Sequence, residues 1–166
     1  IEGGHLHLLE GALDDDGIDP YQWLTSSLPG RGPVVDLGCG SGPTSRGIPG
    51  WIGLDVSMPE LQCARSRGRS RLVQARAEAA PIATGSVAGV VAAMSLMVTD
   101  DAAAVLAEAA RLLEPGGSIV LLLPALGPLT AMDRVRYAGL LLAVGRTAMP
   151  FPRPEVGHDV TRLLDV

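Results

Sequence analysis

The sequence predicts an α/β fold with a Rossmann-like, doubly wound and mainly parallel sheet, and three observations predict it. Short β-branched apolar runs alternate with longer segments of helical apolar spacing, the pattern of βαβ units whose sheet is covered on both faces. The first run passes into a glycine-rich loop, "VVDLGCGSGPTS" at 34–45. The segment that stops at "EPGG", 114–117, is followed by another apolar run, "SIVLLL", as a helix feeding the next strand requires.

Taken in order, "DPYQWLTSSLPGRG" reads as a short helix starting after Asp19 and closing in a turn, with Tyr21 and Trp23 packed against the sheet. Five strands are expected at Val34–Leu37, Trp51–Asp55, Arg71–Gln74, Gly89–Met94 and Ser118–Leu123. Helices are expected over Pro59–Arg67, over Asp101–Leu113 with Asp100 and Asp101 supplying its start, and over Ala131–Val144. Between Gly42 and Trp51 there is room for only about one or two helical turns at 3.6 residues each. "MPFPRPEVG" reads as loop. The 166 residues make one domain, with an N-terminal cap segment (1–32), a core (33–124) and a helical C-terminal segment (125–166).

Composition narrows the functions open to such a domain. A net charge of −5 and 3% aromatic residues offer neither a basic field nor stacking platforms, which argues against nucleic acid and anionic lipid as partners. No apolar run reaches the roughly 20 residues of a membrane span, since "SIVLLLPALGPL" is broken by Pro124 and Pro128. Two cysteines at unrelated spacing make no disulfide framework, and no secretory leader is visible, so the cytoplasm is the expected compartment. The chain opens on Ile1 rather than Met and reads as processed or partial.

The glycine loop is the strongest local signal. Gly38, Gly40 and Gly42 permit positive φ and let backbone N–H groups approach a ligand at the strand's C-terminal end, and Pro43 fits the first helical position. A dinucleotide loop, G-x-G-x-x-G, would need glycine where Pro43 stands. Asp36 at the end of the first strand would repel a pyrophosphate and suits a cationic ligand instead. S-adenosylmethionine (SAM), with a sulfonium and an ammonium, is such a ligand. Asp55 follows Asp36 by nineteen positions, close to the spacing of an acid that accepts ribose hydroxyls.

"VVDLGCGSG", "IGLDVS", "AEAAPIATGS" and "ARLLEPGGSIVLLLP", spanning about 20–124, together resemble the class I SAM-dependent methyltransferases, nearest the type 11 small-molecule group. The resemblance implies that Asp36, Gly38, Gly40 and Gly42, with Cys39 between them, meet the methionine end of SAM. It also implies Asp55 at the ribose, Val56 and Ser57 bordering adenine, Ala77 and Glu78 at the adenine rim, and Met94, Ser95 and Leu96 beneath the cofactor. Two departures stand out: Arg76 replaces an aspartate that many relatives carry before "AE", and Ala88 replaces the acid that commonly opens the fourth strand. The family usually has two more strands after the fifth, so the bare "SIVLLLP" edge is expected to be covered by residues beyond Val166 or by self-association.

Other residues read as structural. The Cys39 thiol fills space, "DDD" at 14–16 is a solvated turn, and His5 and His7 lack a third ligand, so no metal site is expected. His158 reads as a surface histidine. The expected function is methyl transfer from SAM to oxygen, nitrogen or carbon of a small-molecule acceptor. Alignment and water exclusion suffice for that displacement, and no catalytic residue is named. The alternatives are a non-catalytic SAM-binding module and, less favoured by Pro43 and Asp36, a nicotinamide-dependent oxidoreductase.

Overall fold

The computed structural model describes residues 13, 16–123, 131, 132 and 135. Contacts within the chain separate it into two units, Ile1–Leu123 and Pro124–Val166. In the second, Ala131, Met132 and Val135 are helical, and the rest of the helix expected over Ala131–Val144 lies outside the described residues. His5, His7, His158 and the "MPFPRPEVG" loop lie outside them too.

The first unit begins with helix α1, Pro20–Ser26. Asp19 caps it, its Oδ1 accepting from Tyr21 N at 2.8 Å and Gln22 N at 2.9 Å, a cap worth about 0.5–2 kcal/mol. Tyr21 is buried as expected, but Trp23 is 54% exposed, because helical spacing turns it to the opposite face. Strand β1, Val34–Leu37, is buried at all four positions, the signature of a central parallel strand.

The crossover after β1 contains only a three-residue 3₁₀ turn, Pro43–Ser45, in place of a longer helix. Strand β2, Trp51–Asp55, helix α2, Met58–Ser66, and strand β3, Leu72–Gln74, follow. Strand β4, Val87–Ala93, passes through a second 3₁₀ turn, Leu96–Val98, to helix α3, Ala102–Leu112. Asp101 caps α3 by accepting from Ala104 N at 2.9 Å. Its buried residues Val105, Leu106, Ala109 and Leu112 fall on one helical face.

Strand β5, Leu113–Leu122, begins earlier than expected. "EPGG" does stop the helix, but the chain is already extended: Leu113 pairs with Val87, and the register then jumps so that Ser118 pairs with Gly89. The extra residues are accommodated as a bulge, with Gly116 at φ 80°.

All strand pairs are parallel, in the order β3-β2-β1-β4-β5. The chain winds outward from β1 to β3 and then crosses to β4 on the other side of β1. The order therefore reverses between β1 and β4, where open α/β sheets bind ligands beyond the strands' C-terminal ends. Among the described residues, no helix is long and apolar enough to cross a membrane.

Candidate functional site

A cleft of about 330 Å³ opens at that point. Its walls are Leu37 and Gly38 after β1, Leu54–Val56 at the end of β2, and Ala75–Glu78 after β3. Ala93–Ser95, Val98–Asp100 and Val105 close the β4 side. Of the residues expected at the cofactor, Gly38, Asp55, Val56, Ala77, Glu78, Met94 and Ser95 line the cleft. Asp36, Cys39, Gly40, Gly42 and Ser57 do not, and neither does Leu96.

Gly38 sets the floor. Its φ is +73°, and a Cβ there would lie 2.4 Å from Ser95 Cβ, so only glycine lets the β1 and β4 ends approach this closely. The approach is fixed by Ser95 Oγ donating to the Leu37 carbonyl at 2.6 Å. Met94 beside it holds φ 57°, the only positive φ outside glycine among the described residues.

Asp55 joins the loop to the cleft. Its Oδ2 accepts from Gly40 N and its Oδ1 from Ser57 N, both at 2.8 Å. Each carboxylate oxygen has two acceptor sites, so one on each remains for a ligand in the cleft. The expectation that the loop's N–H groups present themselves to the ligand is corrected at four positions. Gly38 N and Cys39 N donate to the Leu54 carbonyl at 2.8 and 2.9 Å, Gly40 N to Asp55, and Gly42 N to the Cys39 carbonyl at 2.9 Å. The glycines serve to fold the loop onto β2.

Asp36 lies behind the loop rather than in the cleft. It is 1% exposed, accepts on Oδ2 from Thr44 Oγ1, and Trp51 Nε1 donates to that same hydroxyl at 3.2 Å. Its Oδ1 is buried with no hydrogen-bond partner among the described residues. Burial pushes its carboxyl up to about 7, against the opposing effect of the Thr44 hydrogen bond and with a further push from the Asp55 charge. Burial, and then the charge of Asp36, also raise the Cys39 thiol far above the usual range, consistent with a space-filling role.

The stretch after β3 is braced from α3. Arg111 donates to both carboxylate oxygens of Glu108 at 2.7 Å, to Thr84 Oγ1 at 2.9 Å and to the carbonyls of Ala80 and Ile82 at 3.1 and 3.0 Å. Ala80 N donates to Glu108 at 2.7 Å. The Arg111 hydrogen bond, partly offset by burial, holds the Glu108 carboxyl below its usual range. In the cleft itself Arg76 pairs with Glu78 at 3.2 Å.

Sequence reasoning missed Leu37, Leu54, Ala75, Ala93, Val105 and the Val98–Asp100 wall as lining residues. The signal for the wall was the short spacing between the end of β4 and the Asp101 cap, which forces a tight turn over the cleft. Among the described residues, no group of three or more His, Cys, Asp or Glu side chains is placed to hold a metal ion.

The sheet order and the acid-lined cleft at its switch point define a Rossmann-like α/β protein. A family profile described as "Methyltransferase domain" matches residues 35–121, just over half of the chain. The chain belongs to this family, the class I SAM-dependent methyltransferases.

Among solved structures, it is 28% identical to one from a complex of the Haloferax volcanii Trm112 methyltransferase activator with a methyltransferase, covering 60% of this chain and 49% of that one at TM-score 0.56. To a SAM-dependent methyltransferase from Mesorhizobium loti it is 28% identical over 68% of this chain and 54% of that one, TM-score 0.55. To a SAM-dependent methyltransferase from Thermotoga maritima the identity is 23%, over 87% and 67%, with TM-score 0.64, a likeness of fold. The chain thus spans about half to two thirds of the length of these structures. No curated protein sequence matches it significantly.

Proposed function

We propose that the cleft binds SAM and that the protein transfers its methyl group to a small-molecule acceptor. The observation that carries this reading is Asp55: it ends β2, lines the cleft, and is oriented by two backbone N–H groups that leave one acceptor site on each oxygen. Those sites match the two hydroxyls of a ribose.

Other residues fit the same group. Asp55, Glu78 and Asp100 face Arg76 as the only basic lining residue among the described residues, a balance that favours a cationic ligand. Gly38 keeps the floor free of a side chain, and Val56 and Val98, exposed at 64% and 71%, give apolar surface at the rim for a purine or an acceptor.

When bound, SAM supplies a methyl group made electrophilic by its sulfonium. The chain then has to hold the ribose at Asp55, align an acceptor from the Val98–Asp100 side and exclude water, and no residue needs to take a proton in the displacement itself. Incubation with SAM and a panel of amine, phenol and carboxylate acceptors, followed by mass spectrometry, tests this. A product heavier by one methylene unit, with the demethylated cofactor in equal amount, is expected. Saturable SAM binding with no product from any acceptor would favour a binding module instead.

A further inference from the structure

A second depression lies at the other end of the sheet. It holds about 270 Å³ and is bounded by Ser45, Gly50, Trp51, Arg69, Ser70 and Arg71. Trp51 opens β2 and Arg71 immediately precedes β3, so this groove sits at the strands' N-terminal ends, whereas the cleft sits at their C-terminal ends. The local sequence is "RSRGRSR", 65–71. Five of the thirteen basic residues of the chain fall between 65 and 76, and no acid occurs between Glu60 and Glu78, a reversal of sign in a chain of net charge −5.

Arg69 is half-buried, and its Nε donates to the Gly42 carbonyl at 3.2 Å. That bond fixes the guanidinium plane and leaves the four Nη hydrogens for another acceptor. Arg71 and Ser70 are exposed beside it. Neither Arg69 nor Arg71 has an acidic partner in the ion pairs of the described residues. A pre-oriented guanidinium, a second one nearby and a hydroxyl form a donor set that matches a tetrahedral dianion.

We propose that this groove binds a small phosphate-bearing anion, and that its occupancy is coupled to the glycine loop because Arg69 grips Gly42. An anion that orders Arg69 also orders the side chain that grips Gly42 of the glycine loop, so the cofactor should bind more tightly when the groove is filled. The coupling, though not the anion site itself, rests on the SAM-binding reading. By linkage, the cofactor must tighten anion binding by the same factor.

Calorimetric titration of the free protein with inorganic pyrophosphate, at ionic strength held constant with sodium chloride, tests the site without SAM. One-to-one saturable binding is expected, weakened at least tenfold in Arg71→Ala, a variant outside the loop and the cleft. No saturable binding, or equal binding in the variant, would overturn the site. A single-stranded RNA hexamer bound more tightly than pyrophosphate, with a salt dependence of more than about two phosphates, would overturn the small-anion assignment.

Demethylated SAM titrated with and without saturating pyrophosphate tests the coupling. Its affinity should rise at least twofold in the wild type and stay constant in Arg71→Ala, and an unchanged wild-type affinity would overturn the coupling. A protein that binds pyrophosphate but no demethylated SAM at all would instead fail the cofactor reading.

Discussion

Asp36 and Asp55 stand near the ends of neighbouring strands, yet their surroundings make them opposites. Asp36 is sealed behind the glycine loop with one oxygen on Thr44 and the other without a hydrogen-bond partner among the described residues, and burial drives its carboxyl toward the neutral form. Asp55 lies at the cleft with a backbone donor on each oxygen. One acid shapes the loop from within and the other meets whatever enters the cleft. Sequence spacing identifies both as acids of one motif, but only packing assigns them these different tasks.

The loop that separates the two acids is where the largest effect is expected. Gly38→Val puts a branched side chain at φ +73° and a Cβ within 2.4 Å of Ser95. The strain and overlap should cost about 3 kcal/mol or more, read as a lowered midpoint in denaturant, and cofactor binding should vanish with the loop's geometry. A variant as stable as the wild type would show that the β1 and β4 ends need not approach.

The next effect sharpens the contrast through pH. The Asp36 carboxyl is raised from 3.8 to about 7 in the fold, so the native state holds a proton that the unfolded chain has released. Stability of the ligand-free protein should therefore fall as pH rises from about 4 through 7. Asp36→Asn should remove that fall and be the more stable form at pH 8. Urea unfolding at pH 5 and pH 8 reads it, and parallel curves for variant and wild type would mean that Asp36 is ionised in the fold at no cost.

A smaller effect is expected at Met94, where φ 57° is strained for any residue with a Cβ. Met94→Gly should relieve about 1 kcal/mol of backbone strain while removing a side chain from the cleft wall. Thermal unfolding and cofactor titration should move in opposite directions. Loss of stability in the variant would show that packing of Met94 outweighs its strain.

Much of the fold was legible because local chemistry and tertiary packing agree. "VVDL" and "WIGLD" are strands at their expected limits, and Asp19, Ser57 and Asp101 cap helices near the expected starts. Where they compete, the sequence misleads. "EPGG" carries every turn signal, yet pairing of Leu113 with Val87 draws it into an edge strand as a bulge.

The candidate site divides the same way. Residue types at the strand ends pointed to Gly38 and Asp55, and the family resemblance to Ser95, all three of which line the cleft, while the direction of the Asp36 side chain depends on Thr44 and Trp51, eight and fifteen residues away in the chain. The role of the glycine amides likewise depends on the Leu54 carbonyl, supplied by a different strand.

The central claim is that Asp55 receives the ribose of SAM in the cleft, and calorimetry of the wild type and Asp55→Ala with SAM and with NAD tests it most directly. Hydrogen bonds to a charged group contribute roughly 1.5–3 kcal/mol each, so the account predicts micromolar SAM binding to the wild type, at least tenfold weaker binding to a folded Asp55→Ala, and no measurable heat with NAD. Equal SAM affinity in the two proteins, or tight NAD binding without SAM binding, would contradict it.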